Sequence, residues 1–409
     1  MNRVQREKQA NIYYINEPGV IFSRIMQGCV RLGFKVGLNL HSKKDRNIDR
    51  LEGPIVLLGN HVSAIDPFVM GSFVTKKWVH YITAQSYFET PVFKSILDYI
   101  GAIPKRQGMV DLRTTRMSLG VLKRGGAVGL FPEGSRTIDG SMLPFGNTSA
   151  KLIKQTGSNV VISHQNGASI CLPRWYRGCS NGYRIGRIDH SAFVLANKDQ
   201  VRLMDIDELD AKIRAALYYN EYEWQRKSMV KFRSRTMAEG MHAILHKCPK
   251  CGYDFSMATK KDHLYCKKCG NTAIVDRYGL IHARTDDDVA FPDMTAWRKW
   301  QNEYLRSETA KDDYRIAFKG VLEIKDSFGK ILETYKDAEM SVDRKNVTYR
   351  YDADKQTLLP LRSIEDAVSD YSLRCEINRE CNSYQFTPVD GQVVIKITDS
   401  IKCLNGILS

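Results

Sequence analysis

The chain lacks any long uninterrupted apolar run, and this absence limits how it can relate to a membrane. Its 409 residues contain no stretch of about 18 apolar residues, which is close to the length that a membrane-spanning helix requires. The N-terminus also lacks a compact apolar segment followed by a small-residue cleavage site, so we expect no secretory signal peptide. Internal repeats and low-complexity tracts are missing too. An apolar fraction of 43% then predicts a globular chain of more than one domain.

Acidic residues are in the minority, and the imbalance is confined to one part of the chain. There are 61 Lys and Arg residues against 46 Asp and Glu, a net charge of +15. Residues 286–409 carry 18 basic and 23 acidic residues, a net −5, so residues 1–285 carry +20. The basic part would attract a polyanion, which could be an anionic membrane surface, a phosphorylated substrate or nucleic acid.

Six of the ten cysteines show no framework spacing. In a chain without a secretion signal, we expect them to be reduced, in a cytosolic redox environment. The other four form two Cys-x-x-Cys pairs, each followed by a glycine that permits a tight turn. Four thiolates at this spacing predict a closed, structural Zn²⁺ site, with a redox dithiol as the alternative. The expected ligands are Cys248, Cys251, Cys266 and Cys269.

Short apolar runs alternate with helical segments between residues 51 and 200. This alternation predicts an α/β domain over 51–245, with a mixed, largely parallel sheet flanked by helices. A segment at 184–193 could add an edge strand, and 205–245 has helical character. Strands are expected at 55–58, 79–83, 100–104, 127–132 and 160–163, and helices at 67–76, 91–98, 111–124 and 147–156.

Residues 1–50 are expected to form an irregular arm and an amphipathic helix at 19–40. At 100° per residue, one face of this helix is apolar and cations lie opposite. Such a helix could lie on a membrane surface, although it could equally pack on the protein's own core. The apolar face is expected to contain Phe22, Ile25, Met26, Cys29, Val36 and Leu40.

The chain changes character after the cysteine pairs. Residues 246–285 are expected to form the zinc ribbon. Residues 286–409 contain alternating runs that predict a small antiparallel β domain ending in a helix at 393–404. This domain resembles a pleckstrin-homology-type module, which could bind a lipid headgroup or a protein, or simply pack on its neighbour. Zinc ribbons are frequent in nucleic-acid-binding proteins, but we consider a nucleic-acid partner unlikely here.

A histidine and an aspartate follow the first predicted strand of the α/β domain. His61 comes shortly after the apolar run 55–58, and Asp66 lies five residues later. A histidine at the end of a strand suits general-base chemistry, and an aspartate can fix its tautomer and stabilise the imidazolium. The spacing alone is weak, because His282 and Asp287 share it and a surface histidine near a solvated acid is common.

Two further blocks place cations where strands end. Arg106 follows the run 101–104, and Glu133, Gly134, Ser135 and Arg136 follow another strand. The carboxyl ends of parallel strands form the ligand crevice of α/β proteins. Arginines there can bind a phosphate through two parallel hydrogen bonds, so the sequence predicts a base beside a phosphate site.

Together the three blocks, which lie between residues 50 and 195, resemble the glycerolipid acyltransferase family of the 1-acylglycerol-3-phosphate type. The matching strings are Asn60-His61-Val62-Ser63-Ala64-Ile65-Asp66, Gly101-Ala102-Ile103-Pro104-Lys105-Arg106 and Phe131-Pro132-Glu133-Gly134-Ser135-Arg136. The resemblance implies that an acyl group moves from acyl-ACP or acyl-CoA to the hydroxyl of a lysophospholipid. His61 would be the base and Asp66 its partner. Substrate contacts would come from Asn60, Ser63, Arg106, Glu133, Gly134, Ser135 and Arg136.

Two departures from the family's pattern keep other functions open. After the third block the family has a phenylalanine, a lysine and a glycine, whereas this chain has Phe145-Gly146-Asn147-Thr148. The later apolar strand of the family contains a proline, whereas here the run 160–162 leads into the polar Ser163 and His164. The acceptor could therefore be another lysophospholipid or glycerol 3-phosphate. A non-catalytic zinc-ribbon adaptor that binds nucleic acid or protein is the alternative from another class. For the enzyme, we expect a cytoplasmic protein, peripheral on the inner face of the cell membrane.

Overall fold

The computed structural model describes most of the chain. The described residues are 15–106, 111–175, 183–326, 329–352, 355–364, 366–370, 373–380 and 382–408. Most of the expected N-terminal arm lies outside them, as do Cys179 and Cys381, two of the cysteines expected to be reduced.

A seven-stranded sheet forms the centre of the α/β domain. Its order is β1-β7-β6-β2-β5-β3-β4, and all neighbours run parallel except the antiparallel pair β6 and β7. This arrangement confirms the predicted mixed, largely parallel sheet. The strands are β1 Leu40–Lys44, β2 Ile55–Gly59, β3 Val79–Ala84, β4 Ile103–Lys105, β5 Ala127–Leu130, β6 Asn159–Asn166 and β7 Ile188–Ala196.

Helices cover both faces of this sheet, which explains why its central strands are apolar throughout. All five residues of β2 are buried, as are all four of β5. A parallel strand buried on both faces reads as a continuous apolar run rather than an alternating one. The helices are α1 Val20–Gly37, α2 Asp66–Val69, α3 Pro91–Tyr99, α4 Leu112–Lys123, α5 Thr148–Thr156, α6 Ala168–Cys171, α7 Lys198–Leu203, α8 Ile206–Leu217 and α9 Glu221–Ser228.

Three predicted elements differ from the structure. The edge strand expected at 184–193 is β7, which lies inside the sheet because β1 pairs along its outer side. The helix expected up to residue 40 ends at Gly37, and Leu40 begins β1 as a buried residue. The segment after Ser228 is irregular as far as a short 3₁₀ turn, Met241–Ala243, although helix was expected through 245.

The ribbon is a four-stranded antiparallel sheet whose core merges with that of the α/β domain. Its strands are β8 Met257–Lys260, β9 His263–Cys266, β10 Thr272–Val275 and β11 Ile281–Ala283, in the order β11-β10-β9-β8. Met257 and Leu264 of the ribbon belong to the same buried cluster as Trp175 and Phe232. The following helix, α10 Met294–Thr309, adds the fully buried Trp297 to this cluster.

The last region is a seven-stranded antiparallel sheet followed by a helix, with its own buried core. Its order is β15-β14-β13-β12-β18-β17-β16. The predicted antiparallel strands and the terminal helix at 393–404 are confirmed. The likeness to a pleckstrin-homology module stays a prediction. The elements are β12 Arg315–Lys325, β13 Ile331–Asp343, β14 Asn346–Arg350, β15 Gln356–Pro360, β16 Ala367–Ser369, β17 Cys375–Arg379, β18 Asn382–Pro388 and α11 Val393–Leu404.

Buried charges connect the three regions. Arg298 of α10 donates to Asp399 of α11 at 2.8 Å and lies 3.8 Å from Asp139 of the α/β domain. Lys396 of α11 is 2.6 Å from Asp254 of the ribbon and 2.9 Å from Glu308 of α10. Removing one partner of a buried pair leaves an uncompensated charge, which costs about 3–5 kcal/mol. These contacts therefore hold the regions in one arrangement.

Candidate active site

His61 and Asp66 form a hydrogen-bonded pair on the loop between β2 and α2. His61 Nδ1–H donates to Asp66 Oδ2 at 2.9 Å, and the histidine side chain is 20% exposed while the aspartate is completely buried. With Nδ1 protonated and donating to a carboxylate, the other ring nitrogen, Nε2, is left as the basic atom. The structure thus brings together the two residues predicted to act as base and partner.

Asp66 receives several more hydrogen bonds from its own loop. Val62 and Ser63 donate their backbone N–H groups to Oδ2 at 2.7 and 2.9 Å, and Ser63 Oγ donates to Oδ1 at 2.5 Å. Gln165 Nε2, from β6, donates to Oδ1 at 3.2 Å. A buried carboxylate needs such donors to remain charged, and here they also fix the loop that carries the histidine.

Asn60 and Ser63, both expected to contact a substrate, lie beneath the histidine loop. Asn60 exchanges two hydrogen bonds with the backbone of Gln165, at 2.7 and 2.8 Å. Asn60 is 1% exposed and Ser63 is fully buried. In this structure both side chains therefore tie the loop to β6 and to Asp66, and their expected contact with a substrate stays a prediction.

Glu133 braces the same loop from the other side. Its carboxylate accepts hydrogen bonds from the backbone N–H groups of His61 and Leu143, both at 2.8 Å, and from Tyr219 Oη at 3.1 Å. Burial raises the pKa of Glu133 to about 8, although the two backbone donors oppose that shift. Its described contacts are thus with protein groups that hold the loop carrying the histidine, and its expected contact with a substrate stays a prediction.

The imidazole of His61 is largely covered by its neighbours, with 20% of the side chain exposed. Its ring stacks on Phe131, with the centroids 4.3 Å apart. Burial lowers the pKa of His61 below 6.5, while the hydrogen bond and the charge of Asp66 act in the opposite direction. The positive charges of Arg136 and Arg174 lower it further. The ring is therefore neutral at neutral pH, as a general base must be.

The turn after β5 lies beside the histidine. Gly134 adopts φ +68°, a left-handed conformation that favours glycine, and its N–H donates to the Phe131 carbonyl at 3.0 Å. The backbone N–H of Thr137 donates to the His61 carbonyl at 2.8 Å. Arg136 is near enough to affect the histidine electrostatically. The structure thus brings the first and third sequence blocks together.

The second block contributes Arg106, which faces the C-terminal domain. Its Nη1 donates to the Glu380 carbonyl at 3.0 Å, and its backbone N–H donates to Asp111 Oδ2 at 3.3 Å. Among the described residues its Nη2 is buried and has no hydrogen-bond partner. The expected contact of Arg106 with an acceptor phosphate stays a prediction.

Three residues of this site were not found from the sequence. Gln165 and Tyr219 contact Asp66 and Glu133, and Arg174 Nη1 donates to Ser135 Oγ at 3.0 Å. Each lies far along the chain from its partner, and none carries a spacing signal. Only the fold reveals them.

The four predicted cysteine ligands also come together. Their sulfur atoms all lie within 4.8 Å of one another, with Cys248 and Cys269 at 3.7 Å and Cys251 and Cys266 at 3.8 Å. A tetrahedral zinc with bonds of about 2.3 Å requires sulfur separations of about 3.8 Å. Disulfide bonds are much shorter, at about 2.05 Å. The donor set therefore fits a tetrahedral metal site.

Comparison with known families agrees with this geometry. Residues 39–164 match the family model described as Acyltransferase, and this range contains all three sequence blocks. Residues 241–275 match the model described as ribosomal protein S27a, and this range includes all four cysteines.

Individual relatives are similar over the same part of the chain. A 1-acyl-sn-glycerol-3-phosphate acyltransferase of Borreliella burgdorferi is 23% identical over 145 residues, which cover 34% of this chain and 55% of that protein. The chloroplastic enzyme LPAT1 of Arabidopsis thaliana is 26% identical over 173 residues, 40% of this chain and 48% of that protein. The chain thus spans about half the length of these curated relatives.

Among solved structures, the 1-acyl-sn-glycerophosphate acyltransferase PlsC of Thermotoga maritima is 18% identical, with a TM-score of 0.41. That similarity covers 50% of this chain and 79% of the other.

The environment of His61 predicts its titration. Because burial disfavours the charged imidazolium, we expect a pKa below 6.5 in an NMR pH titration of the intact protein. The resonance is assigned by its loss in His61→Gln. A measured value at or above 6.5 would contradict the described burial of the ring.

Proposed function

This chain belongs to the glycerolipid acyltransferase family, and on that premise we propose that it transfers a fatty acyl group from an acyl thioester to the free hydroxyl of 1-acylglycerol 3-phosphate. The observation that carries this proposal is the paired His61 and Asp66, with the turn containing Arg136 alongside. The donor would be acyl-ACP or acyl-CoA.

The proposed reaction proceeds in one acyl transfer. His61 Nε2 removes the proton of the acceptor hydroxyl while the hydroxyl oxygen attacks the thioester carbonyl carbon. The new C–O bond forms, the C–S bond breaks, and the thiolate leaves with the proton from the imidazolium. Asp66 holds the ring by Nδ1 and stabilises its transient positive charge. No acyl-enzyme is required, since the acceptor itself is the nucleophile.

The acceptor phosphate would be bound by arginines. Arg106 has a buried nitrogen without a partner among the described residues, and Arg136 lies close to the histidine. A guanidinium binds phosphate oxygens through parallel hydrogen bonds and keeps its charge at every relevant pH. Gly134 and Ser135 shape the turn on which Arg136 sits. A phosphate held there would direct the free hydroxyl toward His61.

We further propose that α1 and α3 dock the protein on an anionic membrane surface. Helix α1 buries polar rather than apolar side chains, because Ser23 and Gln27 are its buried residues. Gln27 donates a hydrogen bond to the Gly71 carbonyl at 3.0 Å. The apolar side chains of α1 point outward instead. The most exposed are Val20, Ile21, Ile25, Leu32 and Val36, at 61–79%.

Helix α3 extends this apolar surface. None of its residues is buried, and Val92, Phe93 and Ile96 are 52–68% exposed. A ring contact between Phe22 and Tyr99, with centroids 5.4 Å apart, joins the two helices. Large contiguous apolar patches usually mark an interaction site, and exposed cations such as Arg24 suit anionic lipid. Among the described residues, no helix has the length and apolar character needed to cross a bilayer.

For the cysteine cluster we propose a structural Zn²⁺ held by Cys248, Cys251, Cys266 and Cys269. The separations of the sulfur atoms suit a tetrahedral ion, and four protein ligands leave no open position for substrate. When bound, the ion stabilises the fold and takes no part in the acyl transfer. Because Cys248 and Cys266 belong to the buried cluster shared with Trp175, loss of the ion would also loosen the α/β domain.

Removing the proposed base should abolish turnover. With lysophosphatidate and acyl-CoA or acyl-ACP, we expect His61→Ala to release free thiol about 10²- to 10⁴-fold more slowly than wild type, since a general base contributes about that much. The matched control is His282→Ala, which removes an exposed histidine that also has a carboxylate partner, Asp276, at 2.9 Å. It should keep full activity.

Thiol release that His61→Ala leaves unchanged would disprove the catalytic assignment. A panel of other lysophospholipids and glycerol 3-phosphate in the same assay identifies the acceptor. Tight, salt-sensitive RNA or DNA binding without any thioester turnover would favour the adaptor instead.

If α1 and α3 dock on the membrane, introducing a single negative charge on either helix should weaken vesicle binding strongly. Ile25→Glu and Ile96→Glu should each weaken sedimentation with anionic phosphatidylglycerol vesicles by about tenfold or more, because burying an isoleucine side chain is worth about 1.5–3 kcal/mol. Leu203→Glu is the control, since Leu203 is 89% exposed but lies on α7. Equal vesicle binding by all four proteins would rule out these helices as the docking surface.

The metal proposal predicts one zinc ion per chain. Elemental analysis of protein purified without chelator should find about one equivalent, and Cys251→Ser should lose it and lower the melting temperature. Less than about half an equivalent in the wild type would count against the site. The melting temperature also reports whether the ion stabilises the shared core, independently of activity.

A further inference from the structure

Arg174 lies at the junction of three parts of the site, although no sequence block includes it. Its Nη1 donates to Ser135 Oγ at 3.0 Å and to the Arg136 carbonyl at 3.4 Å. Its Nη2 donates to the Ser369 carbonyl of the C-terminal domain at 2.8 Å. One guanidinium therefore connects the turn beside His61 to the C-terminal β sheet.

The local fold fixes the backbone that carries this arginine. Helix α6 ends at Cys171, whose carbonyl accepts the Arg184 N–H at 2.9 Å. Trp175, which directly follows Arg174, is buried at 5% exposure. Gly240, at φ +82°, packs against the Trp175 carbonyl. With the backbone anchored on both sides, the side chain is presented to the Ser135–Arg136 turn rather than left free on the surface.

The C-terminal domain also contacts Arg106, one of the two arginines that the sequence predicted to bind phosphate. Arg106 donates to the Glu380 carbonyl at 3.0 Å, just as Arg174 donates to that of Ser369. A carbonyl oxygen accepts a hydrogen bond in preferred directions, so each contact restricts the position of the guanidinium. The C-terminal domain thus helps to orient both side chains.

We propose that Arg174 is a further positioning residue of the acceptor site, which fixes the Ser135–Arg136 turn and is itself held in place by the C-terminal domain. This inference rests on the proposed acyl transfer. It gives the C-terminal domain a role in catalysis through its contact with Arg174. It also places a third cation beside the phosphate of the acceptor.

Two consequences distinguish this role from a merely structural one. First, the turn that carries Arg136 loses two hydrogen bonds when Arg174 is removed, so binding of the phosphorylated acceptor should suffer while binding of the acyl donor does not. Second, the positive charge of Arg174 acts on His61, so its removal should raise the pKa of the imidazole. Burial is the main cause of its lowered pKa, but the charge of Arg174 contributes in the same direction.

The test compares Arg174→Met and Arg174→Lys in the full-length protein. We expect Arg174→Met to raise the KM for lysophosphatidate by about 10- to 100-fold, since hydrogen bonds from a charged donor are worth about 1.5–3 kcal/mol. The KM for the acyl thioester should not change. The acid limb of the kcat/KM profile should move to higher pH, because the pKa of His61 rises when a neighbouring positive charge is removed.

The lysine variant separates charge from geometry. Arg174→Lys keeps the charge but cannot reach all three oxygens, so its acid limb should stay at the wild-type pH while the KM for lysophosphatidate rises less than in Arg174→Met. If Arg174→Met fails to fold, the rise in KM of the lysine variant alone decides the question. An unchanged KM there would overturn the proposal.

Arg187→Met is the matched control for loss of one positive charge. Arg187 pairs with Asp189 at 2.9 Å, and its side chain is 37% exposed. It should leave the KM for lysophosphatidate and the acid limb unchanged, and an equal rise in KM in this variant would overturn the proposal. A lower melting temperature in Arg174→Met with unchanged KM and acid limb would assign Arg174 a structural role only.

The same assay separates this inference from the function on which it rests. Full activity in His61→Ala would contradict the acyl transfer mechanism. Inactive His61→Ala together with a kinetically normal Arg174→Met would contradict only the role of Arg174.

Discussion

One buried carboxylate determines the geometry of the site. Asp66 accepts hydrogen bonds from the His61 ring, from two backbone N–H groups, from the Ser63 hydroxyl and from Gln165. Burying a carboxylate without hydrogen-bond partners is very unfavourable, so Asp66 can be buried here only because these donors surround it. Because the donors come from the loop itself and from β6, the histidine has one position and one favoured tautomer.

On the other side of the site, residues in and after the turn that follows β5 hold the His61 backbone. The same segment also contacts the other domains. Glu133 and Thr137 fix the backbone of His61, and two residues later Asp139 lies near Arg298, which pairs with Asp399 of the C-terminal helix. The ribbon shares its buried cluster with the α/β domain. Packed and charged contacts therefore connect the turn that holds the His61 backbone to both the ribbon and the C-terminal domain.

The sequence predicted the architecture well wherever local patterns decide it. Continuous apolar runs located β2 and β5, and glycine-flanked cysteine pairs identified four residues whose sulfur atoms lie close together. The sequence was less successful where tertiary contacts determine the end of a helix or the position of a strand in the sheet. Gly33 and Gly37 did not reveal that the helix ends before Leu40, and the alternation at 184–193 could not show that β1 would cover that strand.

For the site, the sequence pointed to His61 and Asp66, which the structure pairs, but it could not predict what each neighbouring side chain contacts. Asn60 and Ser63 look like polar ligands in the sequence, yet the fold uses them to bond β6 and Asp66. Arg174 lies 38 residues from Arg136 and has no spacing signal. Its importance depends on a contact with Ser369, 195 residues away, which no local pattern can encode.

The proposed reaction depends on His61 acting as a base on a hydroxyl whose phosphate is held by neighbouring arginines. A crystal structure of the protein with lysophosphatidate bound and no acyl donor would test this arrangement. We expect the acceptor hydroxyl within about 3.2 Å of His61 Nε2 and the phosphate on Arg136 with Arg106 or Arg174. A bound acceptor whose hydroxyl lies beyond reach of this nitrogen, or whose phosphate lies away from these arginines, would contradict it.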